Sequence, residues 1–244
     1  MNLITVSDYQ ALSERAADLV VDRLRNQPDA VFVFPTGNTP VGMFRALARR
    51  VQAGEVDFSR ARVAELDEYW RIALNDERNL FRWLQRELIE PAGVRHVIRF
   101  NSDAEDPRAE LERVERALAE WGGIDLLFLG LGPNGHVGFN EPGSPPDAAM
   151  HLCRLTPESI ISNARYWGGE ANVPRHGMTL GLGTLTKARQ TVLLVSGETK
   201  AGVLARVVEG DVTPAIPATL LRRAPDVTVI ADEGAARKLA RTSR

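Results

Sequence analysis

Short apolar runs alternate with longer amphipathic stretches along this chain. The runs lie at 31–34, 61–66, 124–130, 191–195 and 227–231, with a first predicted strand at 3–6. Most are apolar on consecutive rather than alternate residues, which means burial on both faces, as in a parallel sheet covered by helices. Between them the period changes. After Pro40, residues Val41, Phe44, Leu47 and Val51 form one apolar stripe, and Leu111, Val114, Leu118 and Trp121 form another within 108–121. Strand and helix alternate along the whole length. The prediction is a single doubly wound α/β domain over 1–244, Rossmann-like, mostly parallel, with helices on both faces. No internal repeat and no Gly- or Ser-rich linker interrupts it, and the last residues, 240–244, read as a frayed polar tail.

In such a sheet, ligands bind beyond the carboxyl ends of the strands, so polar residues just after each apolar run carry the functional question. After the run at 31–34 comes Pro35-Thr36-Gly37-Asn38-Thr39-Pro40. Thr39-Pro40 reads as an N-cap and first helical residue. Gly37 and Asn38 both tolerate left-handed backbone. Such a turn presents free N–H groups at a helix start and favours phosphate, although a plain capped turn fits equally well. It is not a Walker A loop, because no Gly-Lys-Ser/Thr follows. At Leu66-Asp67-Glu68-Tyr69, two carboxylates end a buried strand. Asp67 fits a general base with a tuned pKa, or else a helix cap or a partner for Arg71.

The most informative segment is the Gly/Pro-rich loop at 130–146. It presents Asn134, His136 and Glu141 among Gly130, Gly132, Gly135, Gly138 and Gly143. Gly130, Gly132 and Gly135 match G-x-G-x-x-G, but Pro142, Pro145 and Pro146 bar the helix that a dinucleotide fingerprint requires. What remains is a loop that brings backbone close to a ligand and offers an imidazole with a carboxylate five positions on. An imidazole titrates near neutral pH, and a carboxylate beside one favours its protonated form and fixes its tautomer. Further on, Lys200 follows Ser196-Gly197 near a helix start, where a lysine opposes the helix dipole unless an anion is present. Arg165 suits bidentate phosphate binding or a plain surface position. His151 and Cys153 are two ligand types without a second cluster, so they read as structural and no metal site is predicted.

Composition narrows the partners. The 244 residues carry 30 Lys plus Arg against 32 Asp plus Glu, a net charge of −2. That balance argues against nucleic-acid or polybasic membrane binding. No apolar run approaches the length of a membrane span and the N-terminus does not read as a secretory signal. One cysteine fits a reducing compartment. A cytoplasmic protein is expected, with its oligomeric state left open to a homo-oligomer.

Taken together, these segments resemble the glucosamine-6-phosphate deaminase family. The loop Gly-His-Val-Gly-Phe-Asn-Glu-Pro-Gly at 135–143 carries the resemblance. Pro35-Thr36-Gly37 with Thr39-Pro40, Leu66-Asp67-Glu68-Tyr69, Asn163-Ala164-Arg165, the run at 178–185, Ser196-Gly197 with Lys200, and Asp232-Glu233 support it in order. The resemblance implies an amino-sugar phosphate as substrate and no cofactor. It implies that Asp67 takes the C2 proton, that His136 assists ring opening, and that Glu141 orients and charges that imidazole. It also implies that Thr36, Gly37, Asn38, Thr39, Arg165 and Lys200 hold the 6-phosphate. Asn134 stands where some members carry Asp and is expected to align His136 by hydrogen bonding. The superfamily also contains 6-phosphogluconolactonases and sugar-binding regulators. Phe139-Asn140-Glu141-Pro142 favours the deaminase over the lactonase, and a strand starting near residue 3 leaves no room for the DNA-binding segment that precedes this fold in regulators.

Overall fold

The computed structural model describes residues 1–240. In chain order the elements begin with β1 (Asn2–Val6), α1 (Tyr9–Asn26), β2 (Val31–Phe34), α2 (Val41–Gln52), β3 (Arg62–Glu65) and β4 (Asp67–Tyr69). Next come α3 (Leu80–Leu84), a π-helical turn (Gln85–Ile89), α4 (Glu90–Ala92), β5 (His96–Ile98), α5 (Pro107–Glu120) and β6 (Leu126–Gly130). The rest is β7 (His151–Arg154), α6 (Pro157–Trp167), β8 (His176–Thr179), α7 (Leu182–Leu185), β9 (Gln190–Val195), α8 (Ala201–Glu209), β10 (Val227–Asp232) and α9 (Glu233–Ala236).

Seven strands form one sheet in the order β1-β10-β9-β6-β2-β3-β5, and every pairing in it is parallel. The consecutive apolar residues of its strands divide by parity. Val31 and Val33, Leu127 and Leu129, and Leu193 and Val195 face the core packed by α5, α7 and α8. Phe32 and Phe34, Leu126 and Phe128, and Val192 and Leu194 face the core packed by α1, α2 and α3. Burial on both faces is therefore the physical reason the runs were continuous, and the expected doubly wound parallel sheet is what the chain forms. Among the described residues no helix is long and apolar enough to cross a membrane.

The strand order reverses between β2 and β6. From β2 the sheet grows outward through β3 and β5, and from β6 it grows the other way through β9, β10 and β1. Loops leaving two adjacent strands in opposite directions open a crevice between them. The loops after β2 and β6 are the Pro35–Pro40 turn and the Gly/Pro-rich segment of the sequence, and the loop after β9 carrying Lys200 lies alongside.

A second sheet was not expected. β4, β8 and β7 form a three-stranded antiparallel sheet, with Asp67 opposite Thr179 and His151 opposite the same residue on the other side. The chain leaves the large sheet at Glu65 and enters the small one at Asp67. Tyr69, Phe139, Ile160 and Trp167 pack under this sheet as a separate apolar cluster. The small sheet and α6 close one side of the crevice.

Candidate active site

Asp67 stands where the chain changes sheets. Its side chain is buried, and its Oδ1 has no hydrogen-bond partner. It neither caps a helix nor pairs with Arg71, the two bland roles left open above. Burial, and after it the charge of Glu68, pushes its carboxyl up to about 7. Glu68 is pinned beside it. Its carboxylate accepts N–H groups from Tyr69 at 2.7 Å, Leu80 at 3.1 Å and Phe81 at 3.1 Å.

Across the crevice the loop after β6 is tightly folded. Gly132 N–H donates to His136 O at 2.9 Å, and a methyl on Gly132 would overlap the His136 imidazole, so any larger residue there would displace the ring. Asn140 Nδ2 donates to Val137 O at 3.0 Å and Leu180 O at 2.9 Å, tying the loop to the end of β8. His136 Nδ1 lies 3.5 Å from Glu141 Oε2 and 3.2 Å from Ser159 Oγ. That leaves the Nε2 edge of the ring for the crevice.

Glu141 sits behind the imidazole, held on several sides. Thr156, the N-cap of α6, reaches it with its hydroxyl at 3.1 Å and its N–H at 3.4 Å. Asn134 Nδ2 donates to Glu141 Oε2 at 2.9 Å and to Thr156 Oγ1 at 3.3 Å, while Asn134 Oδ1 accepts the His136 N–H at 3.1 Å. Burial alone would raise Glu141, but His136, Ser159 and Asn134 outweigh it and hold the carboxyl at about 2. The α6 N-terminus adds its dipole in the same sense.

Two cations close the far end. Lys200 precedes α8 and donates Nζ–H to Leu131 O at 2.8 Å. The loop that carries it is tied down by Asp232, which accepts from Ser196 Oγ at 2.5 Å and Gly197 N at 2.9 Å. Arg165 of α6 stacks on Tyr166, 4.7 Å from the ring centre. Burial, and then repulsion from Arg165, lowers the Lys200 pKa. Two cations that repel one another across a cleft leave a place for an anion.

Thr36, Thr39, Asp67, His136, Arg165 and Lys200 all line one cleft of about 360 Å³. The other sequence candidates are placed differently. Asn134 and Glu141 stand behind His136, outside the cleft lining. Asn38 turns to a shallower neighbouring hollow, and its carbonyl accepts the Tyr9 hydroxyl at 3.0 Å. Gly37 takes the left-handed backbone, with φ 95°, and Asn38 does not. Thr39 does not cap α2: Pro40 occupies the N-cap position in helical backbone, without a side-chain cap bond. The Thr39 hydroxyl is thereby free of a capping bond. Sequence reasoning passed over Ser159, Thr156 and Arg78. Thr156-Pro157 carries a readable cap-and-first-residue signal for α6. Arg78, which stacks on Trp167 at 4.4 Å and lines the cleft, has no such signal. His151 and Cys153 bond to the backbone oxygens of Ala149 and Gly177. Among the described residues no group of three or more His, Cys, Asp and Glu side chains could hold a metal.

A parallel sheet with reversed strand order and a polar cleft on its carboxyl edge defines a ligand-handling α/β protein of the Rossmann-like class. The family is more specific. The model for glucosamine-6-phosphate isomerases/6-phosphogluconolactonase matches residues 7–230, and the chain belongs to that family. It is 40% identical over 242 residues to a glucosamine-6-phosphate deaminase of Streptomyces avermitilis, covering 98% of this chain and 93% of that one. It is 36% identical to a glucosamine-6-phosphate deaminase of Halothermothrix orenii, covering 97% and 99%. Among solved structures, a monomeric glucosamine-6-phosphate deaminase superposes with a TM-score of 0.95 at 32% identity, over 98% of this chain and all of that one. A 6-phosphogluconolactonase from Trypanosoma brucei shares the fold, with a TM-score of 0.76 at 19% identity.

Proposed function

We propose the following reading of the site. The chain, working as one domain, is a glucosamine-6-phosphate deaminase. It converts the amino-sugar phosphate and water to fructose 6-phosphate and ammonia. One observation carries the assignment of roles: a buried carboxyl pushed up to about 7, Asp67, shares a cleft with two cations, Lys200 and Arg165, that repel one another.

The phosphate sits between Lys200, Arg165 and the Thr36–Thr39 turn, and this remote grip orients the reacting carbons. His136 moves a proton at the ring oxygen, and Glu141 holds the imidazole by its Nδ1 edge. Once the ring is open, Asp67 takes the proton from C2, which the neighbouring ammonium acidifies. The electron pair moves to form the enol-amine, whose C1 is then reprotonated. The imine left at C2 takes up water, and ammonia departs as the ketone forms. A carboxyl near 7 matches this task, because it is a stronger base than an ordinary aspartate yet still ionises at neutral pH. The lone, half-buried Cys153 suits a reducing compartment, so a cytoplasmic setting belongs to the same proposal.

The purified chain is to be incubated with glucosamine 6-phosphate, and both ammonia and fructose 6-phosphate measured against Asp67→Asn. Equimolar products from the wild type alone support the reading. Opening of 6-phosphogluconolactone without ammonia release would replace it with the lactonase.

A further inference from the structure

The imidazole of His136 has two partners at its Nδ1 edge, and they are not equivalent. Ser159 Oγ lies 3.2 Å from that nitrogen and Glu141 Oε2 lies 3.5 Å from it. The nearer partner is a neutral hydroxyl, and the mechanism above gives it nothing to do.

Ser159 is buried in the first turn of α6, and the helix does not use its hydroxyl. Its N–H makes the N-cap bond to Thr156 Oγ1 at 3.3 Å. In a capping box the side chain at this position would reach back to the N–H of the cap residue. Here the Thr156 N–H goes to Glu141 Oε1 at 3.4 Å instead. The Ser159 hydroxyl faces His136 Nδ1 on one side and Thr156 Oγ1, 3.3 Å away, on the other.

Donor counting places the protons. Glu141 is ionised, its carboxyl held at about 2, and a carboxylate accepts without donating. A lone pair on Nδ1 would face that charge, so Nδ1 carries the hydrogen and Ser159 Oγ accepts it. Thr156 gives its single hydroxyl proton to Glu141 Oε2 at 3.1 Å. The Ser159 proton then turns towards Thr156, and a directed chain runs from the ring through two hydroxyls to the carboxylate.

We propose that Ser159 is a positioning residue: its hydroxyl accepts Nδ1–H of His136, fixes the plane of the ring and leaves the Nε2 lone pair facing the cleft. The bond made at one ring nitrogen sets the state of the other. Nε2 therefore begins by taking a proton, that of the anomeric hydroxyl. C1=O forms as the C1–O5 electron pair goes to O5, and the same proton passes from Nε2 to O5. Glu141, behind the hydroxyls, balances the charge that the ring carries in between. The inference rests on the reading of His136 as the residue that opens the sugar ring.

Two measurements test it. The first needs no turnover: NMR of protein carrying isotope-labelled histidine, with His136 assigned against His136→Gln. Where the ring is neutral, its hydrogen is expected on Nδ1. That resonance should move in Ser159→Ala and return near its place in Ser159→Thr, which keeps a hydroxyl. A hydrogen on Nε2, or a resonance that Ser159→Ala leaves in place, overturns the proposal. The second is turnover of glucosamine 6-phosphate deuterated at C2. Ser159→Ala is expected to lower kcat about tenfold, with KM within about threefold. Its isotope effect should fall below that of the wild type, because ring opening rather than C2 proton transfer has become limiting. Ser159→Thr should keep kcat within about threefold of the wild type. An unchanged isotope effect in Ser159→Ala, or a threonine variant no better than alanine, reduces Ser159 to packing and overturns the proposal. A wild type with the expected resonance that releases no ammonia defeats the deaminase reading and leaves Ser159 as the partner of the imidazole.

Discussion

Asn134 donates through Nδ2 to Glu141 Oε2 across 2.9 Å. The same amide accepts the His136 N–H on its Oδ1 at 3.1 Å, so one neutral side chain ties the imidazole's backbone to the carboxylate behind its ring. An aspartate here would offer only acceptors and would set a second negative charge against Glu141. The amide supplies alignment without charge. It lies outside the cleft, so the contribution expected of it is to geometry rather than to substrate contact.

Asn134→Leu keeps the volume and removes both bonds. A lost hydrogen bond to a charged group is worth about 1.5–3 kcal/mol, so kcat is expected to fall about tenfold or more while KM changes little. Acid stability gives a second readout. Glu141 is held at about 2, below its ordinary 4.5. A depressed carboxylate stabilises the fold fully above its unfolded pKa, and that stability is lost as pH falls through the folded one. Without Asn134 the folded pKa rises and the loss begins at higher pH. Equilibrium unfolding followed between about pH 2 and 5 checks this, and an unchanged acid transition would count against the role.

The large sheet was legible because its strands are buried on both faces, which leaves unbroken apolar runs such as Val31–Phe34. The small sheet was not, for an equally physical reason. β4 reads Asp-Glu-Tyr, β7 reads His-Leu-Cys-Arg and β8 reads His-Gly-Met-Thr, short and polar, with no period to follow. β5, three residues at the sheet edge, was lost in the same way. At the site, residues at strand ends were found because topology sends ligands there. Ser159 and Arg78 were not, because they reach the site from helix and loop positions that only the folded chain brings near. The Thr39 cap failed where local preference met tertiary context: Pro40 sits in helical backbone ahead of α2 and leaves the threonine facing the cleft.

Asp67→Asn should separate activity from stability. Removing the base is expected to lower kcat by at least about a thousandfold. The carboxyl is raised from 3.8 to about 7 in the folded chain. Stability from a raised group is present below the unfolded pKa and is lost as pH rises through the folded one. Above about pH 7 the wild type therefore carries the full cost of a buried charge, on the order of 2–4 kcal/mol, and Asn does not. The variant should melt higher than wild type at about pH 8, and the gap should close towards pH 4. A gap independent of pH would show that Asp67 is not strained by burial.

Gly132→Ala tests how closely the loop holds the imidazole. The backbone at Gly132 does not take the left-handed region, so the substitution is not a backbone problem. The added methyl meets the His136 ring itself. The ring must turn away from Ser159 and Glu141, and a misplacement of about 1 Å in catalytic geometry costs roughly a hundredfold. The expected result is a fall in kcat of that order, with KM, set by the distant phosphate grip, changed by less than about threefold. Equal losses in both constants would mean that the loop as a whole had moved.

The phosphate end can be probed apart from the chemistry. Lys200→Met retains the apolar stem and removes the ammonium that repels Arg165 and bonds Leu131 O. Arg165→Lys retains the charge and removes the planar fork. Charge-assisted contacts to phosphate are worth about 1.5–3 kcal/mol, so each variant should raise KM for glucosamine 6-phosphate by about 10–100-fold. Part of that remote binding energy orients the reacting carbons, so kcat should fall as well, though by less. Glucosamine without its phosphate gives the control. Its slow turnover should be nearly the same in wild type and variants, because the lost groups have nothing to hold. Inorganic phosphate gives the converse check: it should inhibit the wild type competitively and lose that effect in Lys200→Met. Variants that turn over glucosamine as poorly as they turn over its phosphate would place Lys200 and Arg165 at the reacting carbons, and the orientation of the substrate in the cleft would have to be reversed.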